Sequence, residues 1–254
     1  MSKVFFHEAG SGPALVFLHG FCDTHEFWTE FVVPFTKKFR VLVPDLPGFG
    51  KSAILPLPFT IDQVGDELAA WVSDQQGNGA IVVGHSLGGY VALSLLERHE
   101  PMLAGIVLFH STPRADTTER KAVRNKVIDF VKAHGVLPYV DTLAPGLFAN
   151  PKDPNIEQTR NRMMGTKPET LIGYAAAMRD RPDRSYLFGG SELPKLVIGG
   201  AQDALIPLDD LKNLIRTAAN SSLFEVPEAA HMGVFEAKSK CQEAISRFAA
   251  ETIG

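Results

Sequence analysis

The run Ala80-Ile81-Val82-Val83-Gly84-His85-Ser86-Leu87-Gly88-Gly89-Tyr90-Val91-Ala92-Leu93 decides how the rest of the chain is read. Ala80 to Val83, closed by Gly84, has the character of a strand buried on both faces. Beyond Ser86 the apolar positions Leu87, Val91, Leu95 and Leu96 recur at helical spacing, and Pro101 ends the pattern. Ser86 therefore stands on a strand-to-helix turn. Gly-x-Ser-x-Gly in that setting holds the serine in a strained backbone conformation, and glycine at 84 and 88 removes side chains that would clash where strand and helix pack closely. Without the flanking strand and helix, the same five residues would read as an ordinary turn serine.

Working outward, strand and helix patterns alternate. Lys3 to His7, Ala14 to Leu18, Arg40 to Val43, Gly105 to Phe109, Lys195 to Gly200 and Ser222 to Val226 read as six further strands. Thr60-Ile61-Asp62-Gln63 has the spacing of a capping box, and Ile61, Val64, Leu68, Trp71 and Val72 continue a helix to Gly77. Further helices are expected from Asp209-Asp210 through Ala219 and from Ala237 to Ile253. Alternation of this kind implies βαβ units and a parallel sheet. Pro44 to Gly50, with two prolines and two glycines, must be irregular, and Asp45 in it suits a carboxylate that fixes the loop by bonding backbone amides. From Ser111 to about Gly190 the strand pattern stops, and Arg114 to His134, Leu137 to Phe148, Asn155 to Met164 and Glu169 to Arg179 favour helix. That stretch has 13 Lys and Arg against 9 Asp and Glu, a cationic surplus that fits either anionic substrates or a solvated polar face.

A length of 254 residues suits one domain with a large core. A net charge of -4 argues against a nucleic-acid partner or membrane adsorption. Cys22 and Cys241 lie far apart in sequence and belong to no Cys cluster, which suits reduced residues in a reducing compartment. Met1 to Glu8 lacks the pattern of a signal peptide, and the apolar run Met102 to Phe109 is too short to span a bilayer, so a soluble cytoplasmic protein is expected. There is no His-Glu-x-x-His, no phosphate-binding glycine loop and no Cys cluster, so neither a metal nor an organic cofactor is expected.

Gly84 to Gly89, together with His19-Gly20-Phe21 and Asp45-Leu46-Pro47-Gly48-Phe49-Gly50-Lys51-Ser52, resembles the serine-nucleophile, capped members of the α/β-hydrolase superfamily. The resemblance runs from about residue 13 to the C-terminus, with a gap from about 112 to 190. It implies an α/β fold with a mostly parallel sheet of about seven strands flanked by helices. Residues 1–110 and 191–254 would form the core, and 111–190 a helical cap inserted in it.

The resemblance also implies a catalytic triad of Ser86, Asp203 and His231, in the chain order of that superfamily. Asp203 fits its Gly-x-x-Asp-x-x-x-Pro context in Gly200 to Pro207, whereas Asp209 and Asp210 have the place of helix N-terminal charges. His231 has the matching setting for the base, with Glu236 downstream; Ala230 stands where many relatives have glycine. Each member falls just past an expected strand, and the carboxyl ends of parallel strands share one edge. By the same resemblance the amides of Phe21 and Leu87 form the oxyanion hole, and His19 holds its loop. His25 and Trp28, beyond that loop, and His110, after the strand ending at Phe109, are candidates for substrate contact, with core packing the competing role for Trp28.

The chemistry implied is hydrolysis of a small carboxylic ester, thioester or lactone through an acyl-enzyme. The same triad could serve carbon-carbon bond hydrolysis, pyruvate elimination or perhydrolysis. A ligand receptor or scaffold with negligible turnover is the alternative outside enzymes. The expected partner is a small-molecule substrate.

Overall fold

The computed structural model describes residues 4–76, 79–216 and 218–253. In chain order the elements are β1 (Phe6–Ala9), β2 (Ala14–Leu18), β3 (Arg40–Pro44), α1 (Ile61–Gln76), β4 (Ala80–His85), α2 (Leu87–His99) and β5 (Leu103–Phe109). There follow α3 (Thr118–His134), α4 (Val136–Leu143), α5 (Asn155–Met163), α6 (Pro168–Arg179), α7 (Leu187–Gly190), β6 (Lys195–Gly200), α8 (Leu208–Ile215), β7 (Ser221–Val226), α9 (Gly233–Glu236) and α10 (Lys238–Ile253). The expected positions Lys3 and Gly77, and Thr217 within the expected helix to Ala219, lie outside the described residues.

The seven strands form one sheet in the order β1-β3-β2-β4-β5-β6-β7, parallel throughout except where β1 pairs antiparallel with β3. Burial follows position in that order. Every residue of β2, β4 and β6 is buried, while the edge strands β1 and β7 alternate with exposed positions. Side chains along each strand point to opposite faces, which splits the core in two. Val16, Leu18, Val82 and Leu108 pack on one face with α1 and α2, while Leu15, Phe17, Val83 and Phe109 pack on the other with Cys241, Ala244 and Ile245 of α10. The seven-stranded, mostly parallel arrangement expected from the sequence is present.

Local chemistry sets the element ends. Thr60 Oγ1 accepts from Gln63 N at 3.2 Å and Gln63 Oε1 accepts from Thr60 N at 2.9 Å, so the capping box starts α1 at Ile61. The helix expected from Arg114 begins four residues later because Thr117 caps it through Arg120 N. The helix expected over Leu137 to Phe148 divides at Pro145 into α4 and a 3₁₀ turn, proline being unable to continue the backbone ladder. Short 3₁₀ turns at His25–Trp28 and Val33–Lys37 carry no periodicity that sequence reading could use.

The helices between β5 and β6 are tied to the sheet's surroundings by specific bonds. On α6, Tyr174 Oη donates to the carbonyl of Pro47 at 2.8 Å and Thr170 Oγ1 to that of Gly48 at 3.0 Å. After α6, buried Arg184 reaches Glu97 of α2 and Asp62 of α1. Among the described residues no helix is long and apolar enough to cross a membrane.

Candidate active site

The turn after β4 shows how tightly the serine is placed. Ser86 has φ 51° and ψ -112°, a backbone conformation that L residues avoid. Its N–H donates to the carbonyl of Phe109 at 3.0 Å, and its carbonyl accepts from Gly89 N at 2.9 Å and Ser111 Oγ at 2.8 Å. A Cβ at residue 84 would lie 2.3 Å from the carbonyl oxygen of Gly88, and one at residue 88 would lie 2.4 Å from that of Leu18. Glycine at both positions is thus what permits α2 to start directly above the ends of β4 and β2. Leu87 is the first residue of α2, so its N–H belongs to the group a helix leaves without an intrahelical acceptor.

The loop after β2 is held by an imidazole. His19 Nδ1 donates to the carbonyl of Gly20 at 2.8 Å while its Nε2 accepts from Leu46 N at 2.9 Å, which fixes one neutral tautomer; burial pushes its pKa down. Asp45 is fully buried and accepts from His25 N at 2.7 Å, His25 Nδ1 at 2.8 Å and Lys51 N at 2.9 Å. That carboxylate fixes a loop. Cys22, next to Phe21, is not a rival nucleophile, because burial pushes its thiol well above the usual range.

Asp203 and His231 meet where β6 and β7 end. His231 Nδ1 donates to Asp203 Oδ2 at 2.8 Å, and Asp203 Oδ1 accepts from Leu205 N at 2.8 Å and Ile206 N at 3.0 Å. A second imidazole shares the same oxygen: His110 Nδ1 donates to Asp203 Oδ2 at 3.3 Å. Burial opposes the charge on Asp203, but the two imidazoles outweigh it and hold the carboxyl far below the usual carboxylate range. Among the described residues His110, Asp203 and His231 also have potential ligand atoms within 4.8 Å of one another. Their nitrogen-oxygen distances are those of hydrogen bonds, and both imidazoles act as donors to the carboxylate.

The backbone of His231 is fixed from three sides. Its N–H donates to the carbonyl of Leu147 at 3.0 Å, and its carbonyl accepts from His85 Nε2 at 2.9 Å. Glu236 Oε2 accepts from Ala230 N and Met232 N on either side of it, and Oε1 from Ala149 N. Burial raises the Glu236 pKa even so.

A cavity of about 510 Å³ opens over this edge of the sheet, walled on the far side by residues of α3, α4, α5 and α6. Ser86, His231, Phe21 and His85 line it, and so do Arg120 and Arg124 of α3. The three residues expected to contact substrate lie elsewhere. Trp28 is fully buried in an aromatic cluster with Phe17, Phe27, Phe31 and Phe109. His25 is held by Asp45 and borders a separate open depression of about 1170 Å³. His110 is fully buried beside Asp203, its ring packed where a Cβ on residue 233 would lie 2.4 Å from Nε2. The sequence left no sign of that arrangement, since nothing local ties His110 to a residue 93 positions away. Arg120 and Arg124 were legible only as a pair one helical turn apart.

Buried neutral histidines make stability depend on pH. His19, His85 and His110 have folded pKa values below the ordinary histidine value, mainly through desolvation, and His85 is shifted well below it. Above about pH 6.5 both states are neutral and the native state carries no penalty; as pH falls below that, the unfolded chain binds protons that the native state resists, so stability declines. Urea unfolding at pH 7 and pH 5 should show this decline. His85→Gln, which keeps an N–H for the His231 carbonyl, should reduce the slope by up to about one proton.

A model of the family described as alpha/beta hydrolase fold matches residues 13–238. The chain is similar to the AB hydrolase superfamily protein YisY of Bacillus subtilis, at 27% identity over 255 residues and 96% of this chain and 94% of that one. It is similar to a pimeloyl-(acyl-carrier protein) methyl ester esterase of Chromobacterium violaceum, at 27% identity over 244 residues, 90% of this chain and 91% of that one. A thermophilic esterase from Thermogutta terrifontis superposes with a TM-score of 0.93 at 28% identity, covering 99% of this chain and 94% of that one.

Proposed function

Because this chain belongs to the α/β-hydrolase fold family, we propose that it is a serine hydrolase that cleaves a small carboxylic ester, thioester or lactone through an acyl-enzyme intermediate. One observation carries the reading. Ser86, on a strained turn at the start of α2, shares a cavity with His231, whose other ring nitrogen is held by an ionised and buried Asp203. A serine hydroxyl must lose its proton as it attacks. With Nδ1–H committed to Asp203, His231 presents a basic Nε2, the tautomer needed to take that proton.

In the proposed cycle, Ser86 Oγ attacks the carbonyl carbon and His231 Nε2 accepts its proton, while the Asp203 carboxylate stabilises the imidazolium. The amides of Phe21 and Leu87 meet the charge that develops on the carbonyl oxygen; one such donor is worth roughly 3 to 4 kcal/mol in comparable enzymes. His231 then protonates the leaving group. Water repeats the sequence with its own proton passing to His231, which releases the acid and restores Ser86. Helices between residues 111 and 190 act as a cap on a core made of 1–110 and 191–254, closing the cavity from the side opposite the sheet. The curated esterase relative and the esterase structural neighbour support the ester class of bond. A reducing cytoplasmic setting remains part of the proposal, in keeping with the unbridged Cys22 and Cys241.

The test is a panel of p-nitrophenyl esters, lactones and diketones. Turnover of esters or lactones that saturates with substrate is expected. Turnover of diketones alone would replace the ester assignment with carbon-carbon bond hydrolysis.

A further inference from the structure

The face of α3 turned to the cavity carries Arg120, Val123, Arg124 and Val127, two guanidinium groups one turn apart between apolar neighbours. Like charges at that spacing repel each other, and the protein supplies little to neutralise them. Arg124 Nε donates to Asp116 at 3.1 Å, but the same carboxylate is held by buried Arg181 at 2.6 Å. Arg120 donates to the carbonyl of Leu205, which carries no net charge. Asp23 also lines the cavity, but it is paired with Arg162 at 2.9 Å. The triad carboxylate, Asp203, accepts from His231 and His110 and is not part of the lining. Two guanidinium charges therefore face one cavity, and each keeps N–H donors that no acceptor among the described residues takes. Val127, Tyr139, Leu143, Met163 and Met178 make up an apolar stretch of the same wall.

We infer that Arg120 and Arg124 form an anion subsite, and that the substrate is an ester or lactone carrying a carboxylate on an aliphatic chain, remote from the bond that is cut. The planar guanidinium fork fits the two oxygens of a carboxylate, and a monoanion loses less hydration than a phosphate dianion on entering an apolar cavity. The Arg124 side chain is 22% exposed, enough to stay hydrated when the cavity is empty and enclosed enough for pairing to count. The apolar wall would take the chain between the carboxylate and the carbonyl at Ser86. This inference rests on the proposed ester chemistry for the identity of the reacting bond, but not for the binding of the anion.

The test uses monomethyl esters of linear dicarboxylic acids of increasing length, each beside the analogue in which a carboxamide replaces the free carboxylate. At the best length the wild type should favour the carboxylate by roughly 10- to 100-fold in kcat/KM, mostly through KM. Arg120→Gln with Arg124→Gln should bring that ratio to about one, while Lys126→Gln, which removes a charge on α3 away from the cavity, should leave it intact. Calorimetric binding of adipate against adipamide gives a readout that needs no turnover and should show the same arginine dependence. Ester turnover with no preference for carboxylate at any length, and no arginine-dependent binding of adipate, overturns the inference and leaves the ester reading standing. Arginine-dependent binding of adipate without ester turnover sustains the anion subsite and removes the ester reading.

Discussion

Replacing Ser86 with alanine should lower kcat for an ester substrate by roughly 10⁵- to 10⁶-fold with little change in KM, as loss of the nucleophile does in enzymes with the same three-residue arrangement. In the proposed cycle the hydroxyl forms the covalent bond, so no neighbouring group can take over its part. What remains should be the contribution of the cavity and of the two amides proposed to polarise the carbonyl. Alanine keeps the Cβ, so the cost of the backbone at φ 51° is unchanged, and the hydrogen bonds to the Phe109 carbonyl and from Gly89 and Ser111 all involve main-chain atoms of residue 86. The variant should therefore unfold in urea close to the wild type. Steady-state kinetics on a p-nitrophenyl ester measures the effect, and activity above a tenth of wild type would show that another group attacks.

Asp203→Asn should cost about 10⁴-fold in kcat at neutral pH, through the tautomer of His231 and not through lost packing. The carboxylate accepts from four N–H groups: two backbone amides on Oδ1 and two imidazoles on Oδ2. Asparagine can offer one carbonyl oxygen and one NH₂ group. If its oxygen stays on the amides of Leu205 and Ile206, its NH₂ faces both imidazoles and forces each to accept through Nδ1. His231 would then carry its proton on Nε2 and be unable to take one from Ser86. Reversing the side chain restores the imidazole contacts and leaves the NH₂ against two backbone donors, at a cost of about 1 to 3 kcal/mol for buried groups left unpaired. Either way the site is damaged with its outline intact. The shared oxygen adds a second expectation: the asparagine variant should move the Nδ1 proton resonances of both His231 and His110 in the NMR spectrum, which links two residues that lie 121 positions apart.

How much of this was legible in the sequence follows from where the information resides. The strands were readable because burial on two faces demands unbroken apolar runs such as Ala14–Leu18, and α1 because Thr60 and Gln63 satisfy each other locally. The serine turn was readable because two glycines mark a close approach of backbones. Contacts between distant segments left no local trace. His110 looks like any polar residue after a strand, yet the direction set by its φ of 48° turns it to Asp203 and away from the cavity. Trp28 and His25 sit near the expected oxyanion loop in sequence, but the 3₁₀ turn from His25 to Trp28 sends one ring into the core and the other to Asp45. The cavity-facing role of Arg120 and Arg124 depends on how α3 lies over the sheet, which helical periodicity alone does not encode.

Every step of the proposed cycle depends on His231 and Asp203 activating Ser86. Incubation with a fluorophosphonate followed by peptide mass spectrometry tests it most directly, because the reagent reacts with serines made nucleophilic by a neighbouring base. A single adduct on Ser86 is expected, lost in Ser86→Ala and strongly slowed in His231→Gln. An unlabelled Ser86 in folded protein, or labelling that persists at full rate without the His231 imidazole, would show that His231 does not activate this serine.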